Sequence, residues 1–211
     1  MTTIAQRRVP DDTSGVLAAL RGEQTLIDAA EARRLRLVVA WAAQHSTDSI
    51  AGPVSAWTEQ PVVIAGEGAP EVAEFCVPEL AVTLAISHDS AARFLGDAVE
   101  LAYRLPRLYA RVLAGELRVW KARRIAQTTT VLSPTAATFV DTHVAATAAT
   151  IGVAALDRLV GEAITRHDPD LAEEHRLAAA GQRRLDVDLH PLGGIRDGLV
   201  NITGVLDYPD T

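Results

Sequence analysis

At 211 residues and 22.5 kDa the chain is long for one compact domain and short for two, so one domain with an appendage is expected. It is 48% hydrophobic and 22% charged, which excludes wholesale disorder, and Cys76 as the single cysteine excludes both a disulfide framework and a four-thiolate zinc site. The net charge of −7 excludes a generally sticky polyanion binder and confines any nucleic-acid contact to a local basic patch. Alanine occurs 37 times against three each of Trp, Tyr and Phe, the composition of packed helices.

Residues 1–13 read as a flexible N-terminus: Arg7 and Arg8 are followed by Asp11 and Asp12 with no apolar region behind them, so no signal peptide is expected. The longest apolar run, residues 37–43, is far short of the ~20 residues of a spanning helix, and a cytoplasmic protein without membrane contact is expected. A helical domain is predicted over residues 14–180. Ser14 is the candidate N-cap of a long first helix ending near His45, with Gly22 a candidate break. Leu17, Leu20, Ile27, Ala30, Leu37 and Trp41 recur mostly at spacings of three, four or seven and predict its hydrophobic stripe. Arg33, Arg34 and Arg36 are assigned to a solvated face, where positive charge suits the C-terminal end of the helix dipole.

The prolines and glycines of residues 50–70 predict a loop, with a short extended piece at residues 62–65. Helical patterning returns from Glu71 through Ala85, with Pro78 either kinking the helix or standing in the first turn of a new one. Ser87 caps a helix predicted to reach Leu105, Pro106 and Gly115 bracket a short one, and another is predicted over residues 119–130. Ser133 with Pro134 starts a helix ended by Gly152, a further helix carries Leu156, Leu159, Val160 and Ala163, and Asp168 with Pro169 starts the last, stopped by Gly181. The period then becomes two: Leu185, Val187 and Leu189 alternate with acids and His190, and Val200, Ile202 and Gly204 alternate with Asn201, Thr203 and Val205. The fold class is therefore a mainly α multi-helix domain with a C-terminal antiparallel β-hairpin over residues 183–206, strand being confined mainly to that end.

The order of signals resembles a known family. Arg33-Arg34-Leu35-Arg36-Leu37, Glu79-Leu80-Ala81, Ser87, Ala91-Ala92-Arg93, Leu105-Pro106-Arg107, Gly115-Glu116-Leu117 and Lys121-Ala122-Arg123, closed by Leu156-Asp157-Arg158-Leu159 and Asp168-Pro169, are similar to the 13E12-repeat family. That family is a helical domain of unknown function that commonly precedes an HNH endonuclease domain in actinobacterial proteins. The resemblance implies an association with nucleases and mobile DNA, and an HNH domain that would follow the terminal strands. These 211 residues lack the metal-binding and general-base histidines of such a domain, so no catalysis within them is expected.

The residues themselves point the same way. His45, His88, His143, His167, His175 and His190 have no partner at metal-ligand spacing; Asp141 and His143, two apart on a helix, face different ways. Asp170, Glu173 and Glu174 suit the first turn of a helix and read as a solvated face, Gly193-Gly194 is not followed by a phosphate-binding helix start, and Ser87, Ser90 and Ser133 read as caps. Cys76, in an apolar helical stretch, reads as a small buried hydrophobe. No cofactor, metal or small-molecule substrate is expected.

Two features bear on nucleic acid. Leu80 to Phe94 resembles a helix-turn-helix, but its second helix carries Arg93 against Asp89, Asp97 and Glu100, a poor match for phosphates, so the motif reads first as packing. The second is residues 104–124, where Arg104, Arg107, Arg111, Arg118, Lys121, Arg123 and Arg124 face only Glu116, a net charge of +6 that leaves −13 for the rest. Tyr103, Tyr109 and Trp120 intersperse them, and arginine beside aromatic rings both pairs phosphates and stacks on bases. The expected nucleic-acid contacts are these seven cations and Trp120. Arginines paired with the acidic helices around core aromatics are the competing arrangement. The functional expectation is a non-catalytic, DNA-associated targeting or scaffolding module that contacts DNA through the basic segment. The alternative is a protein-interaction or self-association module, with a homo-oligomer or an HNH domain as partner.

Overall fold

A computed structural model describes residues 9–47, 59–181, 184–188 and 201–205. Eight α-helices among them form the body: α1 (Thr13–Gln44), α2 (Cys76–Leu84), α3 (His88–Val99), α4 (Pro106–Leu113), α5 (Val119–Thr129), α6 (Pro134–Val144), α7 (Val153–His167) and α8 (Pro169–Gly181). The chain is mainly helical, as its composition requires. Two antiparallel pairs complete it: β1 (Pro61–Val62) with β2 (Val72–Ala73), and β3 (Arg184–Asp188) with β4 (Asn201–Val205), where Arg184 lies opposite Val205 and Asp188 opposite Asn201. The connection between β3 and β4, with Gly193, Gly194 and His190, lies outside the described residues, as do Leu189 and Val200 of the predicted alternation.

Several boundaries differ from expectation. Asp12, not Ser14, caps α1: its carboxylate accepts from the Gly15 N–H at 2.8 Å and the Ser14 hydroxyl at 2.5 Å. Gly22 does not break α1, since one glycine costs only about 1 kcal/mol in a 32-residue helix. The predicted apolar stripe is not its core face. Leu35, Val38 and Ala42 are buried, whereas Leu17, Leu20, Ile27 and Leu37 are each more than half exposed. Residues 71–75 form β2 and a turn rather than helix, because β2 pairs with β1 and bridges Ser46. Strand therefore also occurs before the C-terminal end. Pro78 stands in the first turn of α2, and the segment between α6 and α7 is a run of turns, with Gly152 preceding α7 as its N-cap.

The core is lined by α3, α4, α5 and α6, with Leu95, Leu101, Leu105, Leu108, Val112, Ala122, Ala137 and Val140 wholly buried. The α3 helix continues into a π-helical turn, Glu100–Arg104, closed by the Leu105 N–H donating to the Glu100 carbonyl at 3.1 Å. This turn carries Glu100 and Arg104 inward, 2.6 Å apart and buried. Glu100 also accepts from the Thr129 hydroxyl at 2.7 Å and the Gly66 N–H at 3.0 Å; Arg104 donates to the carbonyls of Thr129 and Leu132. A Cβ on Gly66 would lie 1.7 Å from Arg104 Nη1, and one on Gly96 would lie 2.4 Å from the Ile64 carbonyl oxygen, so two glycines let the β1–β2 connection seat on α3.

Candidate nucleic-acid interface

Folding distributes the basic segment over several surfaces. Arg104 is in the core, held by Glu100 and two carbonyls, and offers nothing to a phosphate. This corrects its assignment as a contact residue: the i, i+4 carboxylate and the apolar positions around it draw it inward. Arg107 and Arg111 are on α4. Arg107 is exposed, while its backbone N–H and that of Leu108 both donate to Asp141 at 3.0 Å. Burial raises the Asp141 pKa against those two donors, which lower it. Arg111 pairs with Glu116 at 3.1 Å and donates to the Ala145 carbonyl, and Arg118 pairs with Asp28 of α1 at 3.2 Å.

The remaining four predicted residues lie on α5, which buries Ala122, Ile125, Ala126 and Thr129 and thereby turns its polar residues to two sides. On one side Arg123 pairs with Asp97 at 2.7 Å and stands 4.7 Å from the centre of the Phe94 ring. Burial raises the Asp97 pKa, opposed by hydrogen bonds from Gln127 and Arg123. Arg34 of α1 approaches the same ring at 5.3 Å, and Arg93 joins them in a pocket of about 430 Å³. Sequence reasoning left Arg34 on a solvated face and missed this cluster; its three arginines come from helices separated in the chain.

On the other side Trp120, Lys121 and Arg124 line a cleft of about 180 Å³ between α5 and α7, floored by Ile125, Ile151 and Leu156. Trp120 is 53% exposed, which corrects the competing expectation that it fills the core. Lys121 donates to the Ala149 carbonyl and lies 5.5 Å from the indole centre; Arg124 is exposed, with no hydrogen bond or ion pair among the described residues. An indole face, two cations and an apolar floor can hold a flat ring and an anion together.

The helix-turn-helix is formed by α2 and α3 around Ala85 (φ 53°), with Ser87 capping α3. Every residue from Phe94 to Val99 is buried, so the second half of α3 is part of the core. Cys76 is fully buried and its thiol is pushed up to about 11, chiefly by desolvation. His45 packs on Trp41 and His143 on Phe139, His190 is outside the described residues, and no group of three metal-ligating side chains gathers among the described residues. No described helix is long and apolar enough to cross a membrane.

No family model, curated protein or solved structure matches this chain.

Proposed function

We propose that the chain is a non-catalytic, DNA-associated module of a cytoplasmic HNH-nuclease-type protein, and that it engages single-stranded segments through the α5–α7 cleft. The observation that carries this reading is the half-exposed Trp120 ring beside Lys121 and Arg124. An exposed indole over an apolar floor suits base stacking, which is worth about 1–3 kcal/mol per base, and neighbouring cations suit the adjoining phosphates. Duplex DNA hides its ring faces, which favours single strands. The family resemblance supports the nuclease setting. The alternative, a self-association module, is favoured by the apolar stripe that α1 leaves exposed.

Titration of the full chain with a single-stranded oligonucleotide at low salt should quench tryptophan emission, and Trp120→Phe should remove most of that quench. Arg124→Ala should weaken binding and lower the salt slope by roughly 0.7, the value of one phosphate contact in a single strand. Circular dichroism of both variants separates loss of affinity from loss of fold. Absence of binding at low salt, or an unchanged slope in Arg124→Ala, overturns the reading.

A further inference from the structure

The stripe on α1 has a defined period. From Val16 to Trp41, alternating steps of four and three residues run through Leu20, Glu23, Ile27, Ala30, Arg34 and Leu37, the spacing of a coiled-coil seam, over about 38 Å at 1.5 Å per residue. None of these side chains is buried; Leu20, Ile27 and Leu37 are 60%, 52% and 67% exposed. The face that enters the body is centred on Leu35, Val38 and Ala42, and of the apolar seam residues Trp41 alone packs partly against the core, its indole N–H donating to the Cys76 carbonyl. Between Thr13 and Arg34, about two-thirds of α1, no residue is buried, so apart from Ala32 at the core edge and the Asp28–Arg118 pair most of a long helix lacks the tertiary packing that normally stabilises helices in water.

The two charged positions of the seam specify the partner. If an identical α1 is laid antiparallel about a point midway between Asp28 and Ala29, Leu20 meets Leu37, Ile27 meets Ala30, Val16 meets Trp41, and Glu23 meets Arg34. Each pair occurs twice by symmetry, so the only charged residues of the seam oppose each other with opposite sign at both ends. A parallel pairing would instead set Glu23 against Glu23 and Arg34 against Arg34. The receiving surface is already formed: Arg34, Leu37 and Trp41 of α1 and Leu80 and Leu84 of α2 line an apolar groove of about 350 Å³. We propose that two copies of this chain dimerise through antiparallel α1 helices, with Val16 and Leu20 of each copy seated in the α1–α2 groove of the other. This inference is independent of nucleic-acid binding.

Sedimentation equilibrium of the full chain, without DNA, should give a dimer. Glu23→Arg and Arg34→Glu should each weaken dimerisation about tenfold or more, since each sets like charges face to face twice, and the double exchange should restore it. Oxidation of a Leu20→Cys/Leu37→Cys double variant should yield a covalent dimer, while neither single variant crosslinks; Cys76 is buried and stays out of the reaction. A protein that remains monomeric to about 100 µM, where even weak specific dimers populate, overturns the proposal. So do charge exchanges that leave the dimer unchanged, or crosslinking of the single variants.

Discussion

The core around Glu100 and Arg104 and the open face of α1 invert the usual placement of side chains in opposite directions. The first takes a carboxylate and a guanidinium out of water and bonds them to each other, a hydroxyl, one backbone N–H and two carbonyls, leaving only Arg104 Nε without a partner among the described residues. The second leaves leucine and isoleucine in solvent on a helix with a seam-like period. A buried charge persists where an opposite charge and several hydrogen bonds offset its desolvation, and an apolar stripe persists outside where another surface can cover it. Hydrophobicity alone therefore predicts neither location. What decides it is whether partners lie within the same chain.

The sharpest way to break this contrast is to remove one member of the buried pair. Arg104→Ala should cost about 3–5 kcal/mol, because it strands Glu100 without its cation, whereas Arg34→Ala on the seam should change monomer stability by no more than about 1 kcal/mol, the worth of its contact with the Phe94 ring. Urea unfolding of the two variants compares them directly; equal losses would mean that Arg104 is not held as described. Next comes Gly66→Ala. Its methyl group must displace the Arg104 guanidinium and the Thr130 carbonyl, at about 2–3 kcal/mol of overpacking, while Gly22→Ala on α1, where nothing lies within 4 Å, should stabilise slightly.

Asp141 gives a smaller, pH-dependent effect. Its folded pKa is raised above the ordinary 3.8, so within the window opening at that value the folded state holds more protons than the unfolded one, and stability from this group falls as pH rises. Asp141→Asn abolishes the titration. The stability of the parent relative to this variant should therefore decline with rising pH from about 4 upward, the reverse of a salt-bridged carboxylate. Unfolding free energies measured at a series of pH values would read the sign; a rising difference would contradict desolvation as the dominant cause.

The helical architecture is legible because caps and breakers are local: Ser87 and Ser133 with Pro134 act within one turn of chain and Pro169 opens α8, although the Asp168 carboxylate reaches the Ser133 N–H from 35 residues away. Core faces were less so. The stripe of Leu20, Ile27 and Leu37 on α1 has the right period for a buried face, but period reports that a face is apolar, not what covers it. The basic segment misled for a related reason. A count of charge along the chain cannot distinguish Arg104, four residues after Glu100 and flanked by Leu101 and Leu105, from Arg124, which has no acid within a turn. The i, i+4 acid inside an apolar face was the available signal for burial. No sequence signal links Arg34 and Arg123, since only tertiary packing brings them to the Phe94 ring and into one pocket with Arg93.

The smallest expected effect is the most direct measure of the contrast. In dilute solution Leu20→Ala should leave the unfolding free energy within about 0.5 kcal/mol of the parent, because its side chain is already mostly in water, while Leu35→Ala on the same helix should lose about 2–5 kcal/mol. Raising the protein concentration should separate Leu20→Ala from the parent. A dimer stabilises the folded state by mass action, so the parent's melting temperature should climb with concentration while that of the variant climbs less. If Leu20→Ala instead costs as much as Leu35→Ala at every concentration, that leucine is covered within its own chain, and the face of α1 assigned to a second copy belongs to the monomer.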